Sequence, residues 1–158
     1  MISKKLIIAA TICNNEQIVK DIFLNIKKLG DLFSETRLII IESNSYDNTI
    51  KAVQENKSLL GDIKLTFYSL GNLNYETRME KISKSRNFYL DIVEEEFSDY
   101  DYLYVLDFNE TNVEPYNIAS ILSNFEIEED WSMVCANQEQ IYAECLAPFI
   151  LLIFINAD

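Results

Sequence analysis

The sequence predicts an α/β domain built on a mostly parallel sheet with helices on both faces, and three observations carry that prediction. Short apolar runs alternate with segments of helical periodicity in the order β-α-β-α-β-α-β-α-β, without internal repeats or linkers. Only three Gly and two Pro occur in 158 residues, too few for a turn-rich sandwich or barrel. Apolar residues make up 49% of the chain, enough for the core of one domain and too much for wholesale disorder.

The first strand is read at Leu6 to Thr11, a continuous apolar run typical of a strand buried on both faces. Asn14 or Asn15 can cap the following helix, whose apolar positions Ile18, Ile22, Ile26 and Leu29 recur at helical spacing until Gly30 ends it. Arg37 to Glu42 is a second buried strand. Ser45 or Asp47 opens a helix near Thr49 to Asn56, and Ile63 to Leu70 is a third strand between Gly61 and Gly71. Helical periodicity returns from about Glu76 to Phe97, with Met79, Ile82, Tyr89, Ile92 and Val93 as its buried stripe. Tyr102 to Leu106 is a fourth strand, stopped by DFNETN. Pro115 suits the first turn of a short helix carrying Ile118, Ile121 and Leu122, and Ser132 to Ala136 is a fifth strand.

Composition excludes several functions. The formal net charge is −13, and no Lys or Arg follows Arg86, so a nucleic-acid partner is disfavoured. The acids beyond it, among them Glu94, Glu95, Glu96, Asp99 and Asp101, read mainly as a solvated surface. There is no histidine, which removes His-based zinc sites, Ser-His-Asp triads and histidine general bases. Cys13, Cys135 and Cys145 lack metal-site spacing and read as reduced, mostly buried thiols of a cytoplasmic protein. The basic, apolar beginning is followed by Asn14, Asn15 and Glu16 rather than the small residues of a signal cleavage site, so it reads as a strand.

Ligands of such sheets bind outside the carboxyl ends of the strands, so the polar segments there are the candidates. After the first strand come Ile12-Cys13-Asn14-Asn15-Glu16, with neither G-x-G-x-x-G nor a P-loop. Their amides can hydrogen-bond a base or ribose, or simply cap a helix. Glu42 ends the second strand, where an acid is costly without partners; a ribose hydroxyl, a base N–H or the protein itself can supply them. Arg78, Lys81 and Ser85 share one helix face with Arg86 a quarter-turn away, suiting either a diphosphate or a solvated surface balanced by Glu76 and Glu80. After the fourth strand, an extended segment puts Asp107 and Asn109 on one side. A carboxylate and an amide oxygen there suit a hard cation, Mg²⁺ or Mn²⁺, which would neutralise a nucleoside-diphosphate leaving group.

In this order, the segments IIAATICNNE ending at Glu16, IESNSYDNT ending at Thr49, RMEKISKSRNFYLD from Arg78, YVLDFNETN ending at Asn112 and WSMVCANQ from Trp131 resemble glycosyltransferases of the GT-A fold. Within that fold the resemblance is to the capsule-type α-1,3-mannosyltransferase-like family. It covers about residues 5 to 142 and implies a metal-assisted hexosyltransferase of polysaccharide biosynthesis, moving sugar from a UDP- or GDP-linked donor to a glycan or other acceptor. It places base and ribose near Thr11, Cys13, Asn14, Glu42 and Ser43, the diphosphate near Arg78 and Arg86, and Mn²⁺ or Mg²⁺ at Asp107 and Asn109. The family's metal motif has Asp at both positions, whereas Asn109 drops one charge. No catalytic base is identified.

Members of that fold also continue well beyond this length. The expectation is therefore a nucleotide-sugar-binding region over 1–145, truncated on its C-terminal side, and an apolar tail over 146–158. That tail is too short for an ordinary membrane span. It reads as a last strand or helix, or as the exposed end of a shortened chain, and membrane contact stays open. Two rival readings remain, a nucleotidyltransferase, which lacks its usual Gly-rich basic loop here, and a nucleotide-binding remnant without turnover.

Overall fold

In the computed structural model, which describes residues 2–126, 133–135 and 151–154, six strands form one sheet in the order β3-β2-β1-β4-β6-β5. The elements are β1 (Ile2–Ile12), α1 (Val19–Gly30), β2 (Phe33–Glu42), α2 (Thr49–Asn56), β3 (Lys64–Ser69), α3 (Arg78–Glu96), β4 (Tyr102–Asp107), α4 (Ile118–Ser123), β5 (Met133–Cys135) and β6 (Leu151–Phe154). Strands β1 to β4 are mutually parallel, and β6 runs antiparallel to both β4 and β5. The α/β class expected from the alternation is the fold observed.

Side-chain alternation along β1 explains the two layers of core. Leu6, Ile8, Ala10 and Ile12 face Val19, Ile22, Phe23, Ile26 and Leu29 of α1 and Val53 of α2. Ile7 and Ala9 face the other way, with Ile39 and Ile41 of β2, onto Tyr89, Ile92 and Val93 of α3 and onto Phe97. Leu6 to Ala10 are wholly buried, which is why this strand shows a continuous apolar run rather than alternation. Each fully buried Leu or Ile here contributes about 1.5–3 kcal/mol of transfer free energy, before conformational entropy is set against it.

Three local expectations change. Helix α1 begins at Val19 without a side-chain cap, because the apolar Ile18 holds the cap position and the Asn14 side chain is spent on Tyr46. Gly30 is the last residue of α1, and its role is close packing: a Cβ there would meet Ile63 Cδ1 at 2.5 Å. Met79 is 66% exposed rather than part of the buried stripe of α3, because the stripe begins at Ser85 and continues through Tyr89, Ile92 and Val93. Within the apolar stretch near the end of the sequence, Leu151–Phe154 forms β6 and lies between β4 and β5. The rest of that stretch, Cys145, and Trp131, Ser132 and 136–138 of the WSMVCANQ segment lie outside the described residues.

Candidate functional site

The register levels four strand ends into one row. Glu42 lies opposite Ser69 in the β2–β3 pair and opposite Ile12 in the β1–β2 pair, and Thr11 lies opposite Asp107 in the β1–β4 pair. The chain lays β2 and β3 on one side of β1 and then crosses to place β4 on the other. The β1/β4 boundary is therefore the topological switch point, where a parallel sheet leaves a crevice at its carboxyl edge.

At that boundary three side chains meet. Arg86 Nη2 donates to both carboxylate oxygens of Asp107, at 3.1 and 3.0 Å, and Thr11 Oγ1 donates to Asp107 Oδ1 at 3.4 Å. Both members of the ion pair keep about a third of their side-chain surface in contact with solvent (33% and 31%), so a ligand can reach them. Alternation explains the meeting: Leu103 and Val105 of β4 face α3, and Asp107 continues that series. Phe108 turns the other way, buried against Phe23 of α1 in an edge-to-face contact at 6.1 Å. Beside the pair, burial pushes the Tyr89 hydroxyl up to about 12, with Arg86 opposing and Asp107 adding.

The segment beyond Asp107 is not extended, contrary to the expectation that set Asp107 and Asn109 side by side. The strand ends at Asp107 and a 3₁₀ turn follows over Glu110–Asn112. Asn112 brings the two positions together instead. Its Nδ2 donates to the Asp107 carbonyl at 2.7 Å and to Asn109 Oδ1 at 3.1 Å. Asn25 of α1 holds the turn in place by donating to the carbonyls of Asn112, Val113 and Glu114 at 3.2, 3.1 and 2.9 Å. Sequence reasoning missed Asn25 and Asn112. The only hint was a polar residue on an apolar helix face, which has no meaning until the partner turn is in place.

Glu42 is 1% exposed and both of its oxygens are engaged internally. Oε1 accepts from the Ser45 backbone at 2.9 Å, and Oε2 accepts from the Ser69 hydroxyl. The geometry gives it a bracing role between β3 and the loop after β2. Ser43 is buried beside it, with its N–H donating to the Ile12 carbonyl at 3.4 Å.

Asn14, with φ of 54°, sits in the left-handed region that Asn tolerates better than most residues. Its N–H donates to Ser45 Oγ at 3.2 Å and its Oδ1 accepts from Tyr46 N at 2.9 Å. Asn44, with φ of 60°, ties the same loop to the one after β3 through Leu73. The loops after β1, β2 and β3 thus form one braced rim. Tyr46 stands on it 90% exposed and offers a free ring face, a feature not singled out in the sequence.

Cys13 is exposed, not buried as expected. Partial desolvation and then the Glu42 charge push its thiol up, against the opposing Ser45 hydrogen bond and Lys81 charge. It is therefore protonated at neutral pH and a poor nucleophile.

Helix α3 brings basic side chains to this edge of the sheet. Arg78 lies on the same helical face as Ser85 and Tyr89, yet it is exposed whereas they are buried, so the packed part of this face begins only at Ser85. Lys81 is half-buried and close enough to Cys13 to act on its thiol. Arg78 and Arg86 are separated by about 12 Å along the axis, so only Arg86 reaches Asp107 and the first turns carry Arg78 and Lys81 outward. The helix N-terminus is closed by a Thr77–Glu80 capping box, so an anion there meets basic side chains more than free backbone N–H groups.

Asp107 and Asn109, the pair expected to hold a cation, present a carboxylate and an amide oxygen that are both engaged inside the protein, and among the described residues no group of three or more Asp, Glu, Cys or His forms a ready-made cage. That donor set fits Mg²⁺ or Mn²⁺ bound by one or two protein oxygens, with water and phosphate oxygens completing the shell. No helix of the described residues is long and apolar enough to cross a membrane.

No family model and no curated protein matches the chain. Solved structures do. Residues 1–349 of Staphylococcus aureus TarS in complex with UDP align over 90% of this chain at 15% identity with a TM-score of 0.59, and over 38% of that chain. The same protein with UDP-GlcNAc gives 13% identity and a TM-score of 0.55. The mannosyltransferase PcManGT from Pyrobaculum calidifontis, in complex with GDP-Man and Mn²⁺, aligns over 77% of this chain and 31% of that one, at 14% identity and a TM-score of 0.54. This chain thus spans less than two-fifths of the length of each of these three structures. Identity this low speaks to architecture alone, and by its architecture the chain has a glycosyltransferase GT-A-like α/β fold.

Proposed function

We propose that this chain is the donor-binding part of a glycosyltransferase that uses a nucleoside-diphosphate sugar. One observation carries the reading: at the switch point of the sheet, Asp107 and Thr11 meet Arg86 of α3, the helix whose earlier turns carry Lys81 and Arg78. A diphosphate needs cationic partners held at a fixed place, and Arg86, Lys81 and Arg78 form such a series leading outward from the strand ends. The braced rim of Cys13, Asn14, Ser43, Ser45 and Tyr46 takes the nucleoside, with Tyr46 offering a face to the base and Glu42 holding the rim in shape. The fold likeness to TarS with UDP and UDP-GlcNAc, and to PcManGT with GDP-Man and Mn²⁺, supports a nucleotide-sugar donor of either kind.

Departure of the sugar leaves negative charge on the nucleoside diphosphate. Arg86 and Lys81 are positioned to stabilise that charge where it develops. Asp107 and Asn109 would hold Mn²⁺ or Mg²⁺, which when bound supplies further charge neutralisation to the leaving group. Asn112 and Asn25 keep that corner rigid. The acceptor, a glycan in this reading, would be bound largely by parts of a longer protein, since the chain covers 31% to 38% of the TarS and PcManGT structures compared above. The capsule-type mannosyltransferase-like resemblance favours a hexosyl donor in polysaccharide synthesis.

Calorimetry with UDP and GDP, with and without Mn²⁺, tests this reading. Binding of at least one nucleotide, strengthened by Mn²⁺ and losing that dependence in Asp107→Ala, is expected. Binding of neither nucleotide under any condition rejects it.

A further inference from the structure

The carboxylate proposed for the cation is already neutralised by an internal cation, and this has a thermodynamic consequence. We infer that the Arg86–Asp107 ion pair is a latch coupling divalent-cation binding to diphosphate binding. The inference rests on the donor-site reading above and adds an order to it.

Arg86 Nη2 bonds both oxygens of Asp107, at 3.1 and 3.0 Å, so a metal ion approaching that carboxylate competes with the guanidinium for the same lone pairs. It also meets the guanidinium's positive charge at short range. The second donor, Asn109 Oδ1, is neutral and already accepts from Asn112 at 3.1 Å, so it cannot make good the loss. A diphosphate changes the balance. Its oxygens accept the Arg86 fork in place of Asp107, and the released carboxylate becomes available to the cation together with the phosphate oxygens.

The geometry of Arg86 suits such an exchange. Its Nε is buried without a partner among the described residues, while Nη2 alone carries the ion pair and a third of the side chain faces solvent. The guanidinium is thus incompletely satisfied in the closed state, and rotation toward a better acceptor sacrifices little. Thr11 Oγ1, which donates to Asp107 Oδ1 at 3.4 Å, keeps the carboxylate in place when Arg86 leaves. Binding linkage is reciprocal, so the factor by which nucleotide raises metal affinity equals the factor by which metal raises nucleotide affinity.

The experiment measures Mn²⁺ affinity by calorimetry, or by the electron-spin resonance of free Mn²⁺, for the full chain and for Arg86→Gln, each with and without saturating UDP or GDP. An ion pair with about a third of its side-chain surface in solvent contributes little to folding, so the variant should fold, and circular dichroism verifies this. Without nucleotide, Arg86→Gln should bind Mn²⁺ about 10-fold more tightly than wild type. With nucleotide, wild type should gain about 10-fold and Arg86→Gln less than about 3-fold, within the usual span of coupling between sites.

Equal Mn²⁺ affinities of the two proteins without nucleotide, alongside normal UDP or GDP binding, overturn the latch and leave the donor site standing. Failure of wild type to bind either nucleotide overturns the donor site and the coupling with it. If Arg86→Gln does not fold, nuclear magnetic resonance of the wild-type Arg86 side-chain N–H groups replaces it. UDP or GDP alone should shift them and Mg²⁺ alone should not; the reverse pattern overturns the latch.

Discussion

Glu42 shows how a single side chain can be both buried and charged when its partners are built in. Its two oxygens are taken by the Ser45 N–H and the Ser69 hydroxyl, and it lies at the junction of β2, β3 and the rim that follows them. Removing it takes the acceptor from both donors and leaves a gap at a position that is itself only 1% exposed. Glu42→Ala should cost about 2–4 kcal/mol, and Glu42→Gln about 1 kcal/mol because one acceptor survives. Urea unfolding measures both, and an Ala variant within about 0.5 kcal/mol of wild type would contradict the bracing role. Asn14 and Asn44 act at the same scale: each accepts a left-handed backbone and spends its amide on the neighbouring loop. Both were legible as polar loop residues, but their partners lie 31 and 29 positions away.

At the scale of elements, Asp47 shows how one carboxylate joins a helix to a loop. It accepts from the Thr49 N–H at 2.9 Å at the start of α2, and from the Glu16 N–H at 3.2 Å in the loop after β1. Burial pushes the carboxyl up, but the Thr49 and Glu16 hydrogen bonds outweigh it and hold the group below its ordinary 3.8. Because the folded value is the lower one, the stabilisation is complete above the unfolded value and is lost as pH falls through the folded one. Asp47→Asn should therefore cost about 1 kcal/mol at pH 7, with the difference from wild type closing as pH falls through the folded value, which lies below the ordinary 3.8. Denaturant titrations at several pH values check this, and a difference that persists unchanged at about pH 2 excludes the carboxylate as its source.

For the molecule as a whole, the sheet divides the chemistry. One edge carries the strand ends and the basic turns of α3. The opposite edge ties Lys4, Lys5, Glu35, Asp99 and Asp101 into ion pairs that close the amino ends of β1 and β4. The sheet is also completed from far along the chain, because β6 joins β4 to β5. Deleting residues 149–158 removes the pairing partner of both strands. The thermal midpoint should fall by about 5 °C or more, at the roughly 2–4 °C per kcal/mol expected for this size. Higher solubility with an unchanged midpoint would mean that this segment contributes nothing to the sheet.

The sequence by itself determined the alternation of strands and helices, and the positions of the polar segments after each strand. Both follow from local periodicity: the continuous run at Leu6 to Ala10 has to be buried on both faces, and the stripe along α1 has to meet it. Tertiary structure alone decided what those segments do to one another. The bond from Arg86 to Asp107 spans 21 residues, and the one from Asn25 to Asn112 spans 87. Neither pairing is written in the residues between, because strand order and register, set by the whole core, choose which loop ends meet.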